Sequence, residues 1–201
     1  MTDTFPGTPM ASLLPLILAS GSPRRRHWME AMRIPFELQA PQVDETPLLD
    51  EDPMDLVLRL AELKAEVVAH RHPDRWVMAA DTTVAVDHHT LNKPIDVEDA
   101  VRMLLLIQGR RHEVHTGMCL QRDDEAYAFV DTAEVFLRPI SEAQARWYVA
   151  SGEPMDKAGG YAAQGIAALF IERIEGSYTG VMGLPLFETG RLLMQVGFKL
   201  L

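Results

Sequence analysis

Along this chain the hydrophobic pattern keeps switching between a strand period and a helix period, and that alternation constrains the fold more than any other feature. The run LLPLILA ending at Ala19 is short, apolar and stopped by Ser20-Gly21, as a buried strand is. Ser22-Pro23 then sets a capping residue and a first-turn proline ahead of a helix that turns Trp28, Met29 and Met32 inward. IPFELQAP reads as a second strand, and Asp52-Pro53 opens a longer helix to about His70, with Leu56, Leu60, Leu63 and Val67 on one face. WVMAADTTVAV is strand-like, DHHTLNKP a turn, and DVEDAVRMLLLIQG an amphipathic helix closed by Gly109. HEVHTGMCLQ and EAYAFVDTAEVFLRPI predict an antiparallel pair turning at Asp123-Asp124. SEAQ is a capping box at Ser141, ALFIERIEG a strand, and a last helix runs from about Leu186 to Val196. Helices alternate with strands first and hairpins follow, so the predicted fold class is α/β with a mixed β-sheet and flanking helices. We expect one domain over 13–201, with room for two lobes around a cleft, and a mobile N-terminal extension over 1–12.

A formal net charge of −10 speaks against sequence-independent nucleic-acid binding, which needs a basic surface. A small anion could still bind where the few cations converge. Cys119 is the one cysteine, so no intrachain disulfide forms and a reducing, cytoplasmic setting is expected. No apolar stretch approaches the ~20 residues of a membrane span, and the first residues lack the basic start of a secretory signal.

Several polar residues sit where a plain fold would not put them. In SGSPRR, Arg24 and Arg25 fall in a first helical turn, where acids are preferred, unless a bound anion compensates. A solvated arginine run is the bland alternative. Asp81 interrupts a strand between small alanines and β-branched residues, so it is either a ligand-facing carboxylate or a structural one bonded to backbone amides. Only four lysines occur, and Lys64, Lys93 and Lys157 each lie beside such a stretch. Asp44 and Glu45 in VDETP could join Asp81 in holding a hard divalent cation. In DKAGGYAAQG, the glycines allow close backbone approach and Gln164 offers a donor and an acceptor suited to a base edge. His112 and His115, three apart on a strand, face opposite ways and make a poor metal pair, and Cys119 reads as a buried inert thiol.

Taken in order, LASGSPRR, VDET, AADTTV, LNKP, GRRHEVHTG, EPMDKAGGYAAQG and GSYTGVMGLPL resemble the Maf family of nucleoside triphosphate pyrophosphatases over residues 16 to 197. The resemblance implies an inosine triphosphate pyrophosphatase-like fold and hydrolysis of a nucleoside triphosphate to monophosphate and pyrophosphate with Mg²⁺ or Mn²⁺. It assigns Asp81, Glu45 and Lys64 to catalysis and Glu45 and Asp81 to the metal. Ser20, Arg24, Arg25, Lys93, Thr82 and Gln164 fall to the substrate. Lys157 is not among the residues the resemblance carries over and is expected, from its place in the glycine-rich segment, only as a further phosphate contact. Arg24, Thr82 and Gln164 are similar to the branch acting on dTTP and UTP, including modified uridine triphosphates, rather than to the 7-methyl-GTP branch. Asn92, Ala162 and Ala167 stand where glycines are usual in the family. The added methyls at 162 and 167 bear on the base pocket more than on activity. A homodimer rests on the resemblance alone, as does the competing reading of a non-enzymatic regulator of septum formation. A binding module has no need of a metal-competent carboxylate beside four phosphate-type cations, which favours the enzyme.

Overall fold

The computed structural model describes residues 14–200. The 1–12 extension lies outside the described residues. The sheet runs β2-β1-β3-β5-β6-β7, with β4 on the free edge of β3. Its strands are β1 (Leu16–Leu18), β2 (Phe36–Leu38), β3 (Val77–Val86), β4 (His89–Leu91), β5 (Arg111–Arg122), β6 (Glu125–Leu137) and β7 (Ile171–Glu175). β1 lies parallel to both β2 and β3, and every later pairing is antiparallel, which makes the sheet mixed as expected. The helices are α1 (Pro23–Ala31), α2 (Pro53–Ala69), α3 (Val97–Ile107), α4 (Glu142–Val149), α5 (Tyr178–Val181) and α6 (Leu186–Gln195). No helix among the described residues is long and apolar enough to cross a membrane.

The continuous apolar runs of β1 and β3 have a direct cause: both strands are covered on both faces. Ile17, Val77, Ala79 and Cys119 point to α2, where Ala61, Ala65 and Val68 meet them. Leu16, Leu18, Met78 and Met118 point the other way, toward Met29 of α1 and Leu193 of α6. A third cluster joins the far end of β3, β5 and β6 to α3 and α4 through Val84, Val135, Leu104 and Tyr148. The small residues of β3 and α2 let helix and sheet approach closely. At Gly117 of β5 the contact is with backbone: a Cβ there would lie 2.2 Å from the Val57 carbonyl oxygen of α2.

The segment DHHTLNKP is more than a turn. Asp87 and His88 both adopt positive φ, 50° and 64°, the geometry that matches strand twist, and fold His89–Leu91 back onto β3. Three residues are too few for alternation to show in the sequence. β7 likewise begins only at Ile171, because Ile166–Leu169 form a 3-10 turn before it. The capping box at Ser141 and the Asp52 cap of α2 are both made as expected.

Candidate active site

β1 pairs with β3 only at Val77 and Met78, and β4 pairs with it only from Val84 onward. Between them this edge of β3 has no strand partner, and Asp81 and Thr82 sit in the gap. The chain leaving β1 passes through Ser20 and Gly21 into α1, so the gap opens beyond the carboxyl end of β1, where α/β sheets bind ligands. A cleft of about 750 Å³ lies there. It is lined by five cations, Arg24, Arg25, Lys64, Lys93 and Lys157, against three carboxylates, Glu45, Asp81 and Asp156. In a protein of net charge −10 this is a local reversal of sign.

Strand alternation sends Asp81 to the α2 face and Thr82 to the α1 face, so the two are served by different helices. From α2, Lys64 donates to Asp81 Oδ1 at 2.6 Å and to Glu45 Oε1 at 2.7 Å. Lys64 is 6% exposed, and a buried ammonium is tolerable only because two carboxylates neutralise it. Its position follows from Val57, seven residues earlier on the same face, pressed onto Gly117, which is the register partner of Asp81. Burial raises the Glu45 carboxyl, but the Lys64 hydrogen bond and the charges of Lys64, Lys93 and Arg25 outweigh it, so the group stays below its ordinary range. The loop carrying Glu45 is pinned to α2 by Arg59. Its Nε and Nη2 donate to both oxygens of Glu51 at 2.5 and 2.8 Å, and Nη2 also reaches the Thr46 carbonyl at 3.3 Å.

From α1, Arg25 donates through Nε to the Gly183 carbonyl at 2.8 Å and through Nη2 to Thr82 Oγ1 at 3.0 Å. Thr82 passes its own proton to Thr116 Oγ1 at 2.9 Å, and Thr116 donates to the Gly180 carbonyl at 2.9 Å. Thr82 is therefore a prop for Arg25 at the cleft wall. Burial pushes the Arg25 guanidinium below its ordinary value, a pull that the charge of Asp81 opposes. Ser20 Oγ accepts the Ser22 N–H at 3.1 Å and lies 3.5 Å from Arg25 Nη1. No side chain caps α1, which leaves its first-turn N–H groups open to an anion. Arg24 reaches across the cleft mouth to Asp156, 4.0 Å away, and Asp156 also pairs with Lys157. Lys93 is exposed on the rim, and Gln164 stands exposed in the segment after Tyr161.

The nine catalytic and substrate residues that the resemblance assigns, and Lys157 with them, line one cleft. Asp44 does not join them: its carboxylate turns back to accept the Thr46 N–H at 2.9 Å. His112 and His115 are separated as expected, His112 held by the Tyr161 hydroxyl and His115 by Thr132. Cys119 is buried and its thiol is pushed up to about 12. The sequence reading missed Arg59, Gly117, Thr116 and the Gly183 carbonyl. Of these only Gly117, a glycine inside a strand, carries a local signal.

Two carboxylates in a cationic cleft are the protein share that a Mg²⁺-type ion uses when phosphate oxygens and water complete its shell. Among the described residues no three His, Cys, Asp or Glu side chains gather as a self-sufficient metal cage. The donor set fits an ion shared with a phosphorylated ligand.

Several known proteins are similar to this chain over most of its length. A protein from Sphingopyxis alaskensis named dTTP/UTP pyrophosphatase is 50% identical over 188 residues, 92% of this chain and 98% of the relative. One of the same name from Myxococcus xanthus is 47% identical over 185 residues, 92% of this chain and 94% of the relative. The Staphylococcus aureus Ham1 protein superposes with a TM-score of 0.46 and 15% identity over 62% of this chain and 72% of that chain, too loosely to bear on the site. The family model described as Maf-like protein matches residues 15–196, and the chain belongs to that family.

Proposed function

We propose that the protein is a nucleoside triphosphate pyrophosphatase that hydrolyses dTTP and UTP to the nucleoside monophosphate and pyrophosphate, a house-cleaning activity on the cytoplasmic nucleotide pool. The observation that carries this reading is the convergence of Lys64, Glu45 and Asp81 from three separate segments at one end of a cleft whose other wall is arginine and lysine. The relatives' names supply the base.

Arg24, Arg25 and Lys93 hold the phosphate oxygens, together with the first-turn N–H groups of α1. Glu45 and Asp81 would hold Mg²⁺ or Mn²⁺, which when bound supplies neutralisation of the triphosphate charge. Lys64 donates to Oδ1 of Asp81, using one of that oxygen's two lone pairs, and Oδ2 is left to accept a proton from the attacking water. The water oxygen bonds to the α-phosphorus, the bond from that phosphorus to the bridging oxygen breaks, and pyrophosphate leaves. Charge growing on the leaving oxygens is met by the fixed cations, which need no reorganisation in the step. Gln164 presents its amide to the imide edge of the pyrimidine.

The test is pyrophosphate release, with Mg²⁺ or Mn²⁺, from dTTP, UTP, CTP, GTP, ATP and 7-methyl-GTP. Release from dTTP and UTP is the expected result, and Gln164→Glu lowers it more for these two than for GTP. Preference for 7-methyl-GTP would overturn the base assignment, and no release from any nucleotide would overturn the enzymatic reading.

A further inference from the structure

The segment that carries Gln164 is irregular, and something outside the cleft fixes it. Tyr148 of α4 is fully buried, with its ring edge-on to Phe170 at 5.7 Å. Its hydroxyl donates to Glu153 Oε1 at 2.8 Å and accepts the Ala162 N–H at 3.2 Å. Glu153 accepts the Ile166 N–H on Oε2 at 3.0 Å and the Ala167 N–H on Oε1 at 3.3 Å. One hydrogen-bonded pair of side chains thus grips the chain two residues before Gln164 and again two and three residues after it. Within the grip, the Gly165 N–H donates to the Ala162 carbonyl at 3.0 Å. A Cβ on Gly165 would lie 2.2 Å from Glu153 Oε2, so only glycine lets the carboxylate touch the segment. Neither Tyr148 nor Glu153 lines the cleft, and the exposed Gln164 between the two grips does.

We infer that Glu153 and Tyr148 are positioning residues for base selection, a clasp that fixes the segment 162–167 so that Gln164 meets the base in one geometry. The inference rests on the base-reading role given to Gln164 above. Its physical basis is the short reach of a hydrogen bond. Discrimination at a base edge requires donor and acceptor to stay within a few tenths of an ångström, and an irregular segment does not hold that by itself. The carboxylate supplies it through charge-assisted bonds to two consecutive N–H groups that the 3-10 turn Ile166–Leu169 leaves without partners of its own. Lys157 ties the other end of the clasp, donating to the Glu153 carbonyl at 3.4 Å.

The test compares kcat and KM for dTTP and GTP in wild type, Glu153→Gln, Tyr148→Phe, Gln164→Ala and the double variant Glu153→Gln with Gln164→Ala. dTMP affinity by calorimetry reads the same contrast without turnover. Glu153→Gln is expected to lower kcat/KM for dTTP by roughly tenfold, mostly through KM, and to leave GTP nearly unchanged. Tyr148→Phe keeps the ring packed, removes the hydroxyl and shifts the ratio in the same direction, so a folding defect in one variant does not decide the matter. In the Gln164→Ala background the effect of Glu153→Gln on selectivity disappears, since the clasp acts through Gln164. A lower melting temperature with an unchanged dTTP-to-GTP ratio would overturn the inference, as would an undiminished effect in the double variant. If Gln164→Ala collapses the ratio while both clasp variants leave it intact, the clasp alone is refuted. If Gln164→Ala leaves the ratio intact, the base reading falls and the clasp with it.

Discussion

Gly117→Ala tests how Lys64 comes to stand over Asp81, although Gly117 touches no substrate. The new Cβ would lie 2.2 Å from the Val57 carbonyl oxygen and 2.8 Å from the Leu58 nitrogen. A relaxed carbon–oxygen contact is about 3.3 Å, so α2 must back away by about 1 Å, and backbone has no rotamer by which to yield. Lys64 lies two turns further along the same face. Moved by that amount, its 2.6 Å bond to Asp81 stretches to about 3.6 Å, beyond the reach of a hydrogen bond. Overpacking of this kind costs about 2 kcal/mol or more, which lowers Tm by roughly 4–8 °C in a chain of this size. A 1 Å displacement of a reacting group costs on the order of 10² in rate. The assay is a melting curve together with pyrophosphate release from dTTP at a temperature where the variant is folded. A Tm within about 1 °C of wild type would refute the packing argument. A lowered Tm with wild-type kcat would refute the link between α2 and the chemistry.

His112 has its imidazole pushed down to about 3, first by burial and then by the charge of Arg110. Between about pH 6.5 and 3 the unfolded chain binds the proton and the folded one does not, so stability falls as pH falls. From pH 7.5 to 5.5 this group accounts for a loss of about 1.4 kcal/mol, which denaturant titrations of His112→Phe should no longer show. If the variant and the wild type lose stability equally over that range, His112 is not buried neutral. Asp156 pairs with both Arg24 and Lys157 and so competes with phosphate for them. Asp156→Asn is expected to lower KM for dTTP a few-fold with kcat unchanged, and an increased KM in steady-state kinetics would show that Asp156 orders the cations rather than competing with the substrate.

The strand and helix periods were legible because β1, β3 and α2 bury what their patterns say they bury. Asp81, Lys64 and the arginines were legible for the opposite reason: each violates a local preference, an aspartate in a strand, a lysine on an apolar face, cations at a helix N-terminus. The strand order was not readable, since it depends on pairings distant in sequence. Nor was β4, which spans three residues. The supports of the site were hidden for a different reason. Arg59 and Thr116 break no local rule and act only through partners the fold brings, Glu51 and the Thr82 hydroxyl. As adjacent acids in one loop, Asp44 and Glu45 break no rule that tells them apart, and only the resemblance chose Glu45. The turn that spends Asp44 on the Thr46 N–H gives the physical reason.

The most direct measurement of the central claim is the rate of pyrophosphate release from dTTP by wild type and Asp81→Asn, with both proteins shown to be folded. Asparagine fills the same space beside Lys64 but takes no proton from water. Release by the wild type and a loss of about 10²- to 10⁴-fold in the variant are expected. Turnover by Asp81→Asn within a few-fold of wild type would contradict that claim.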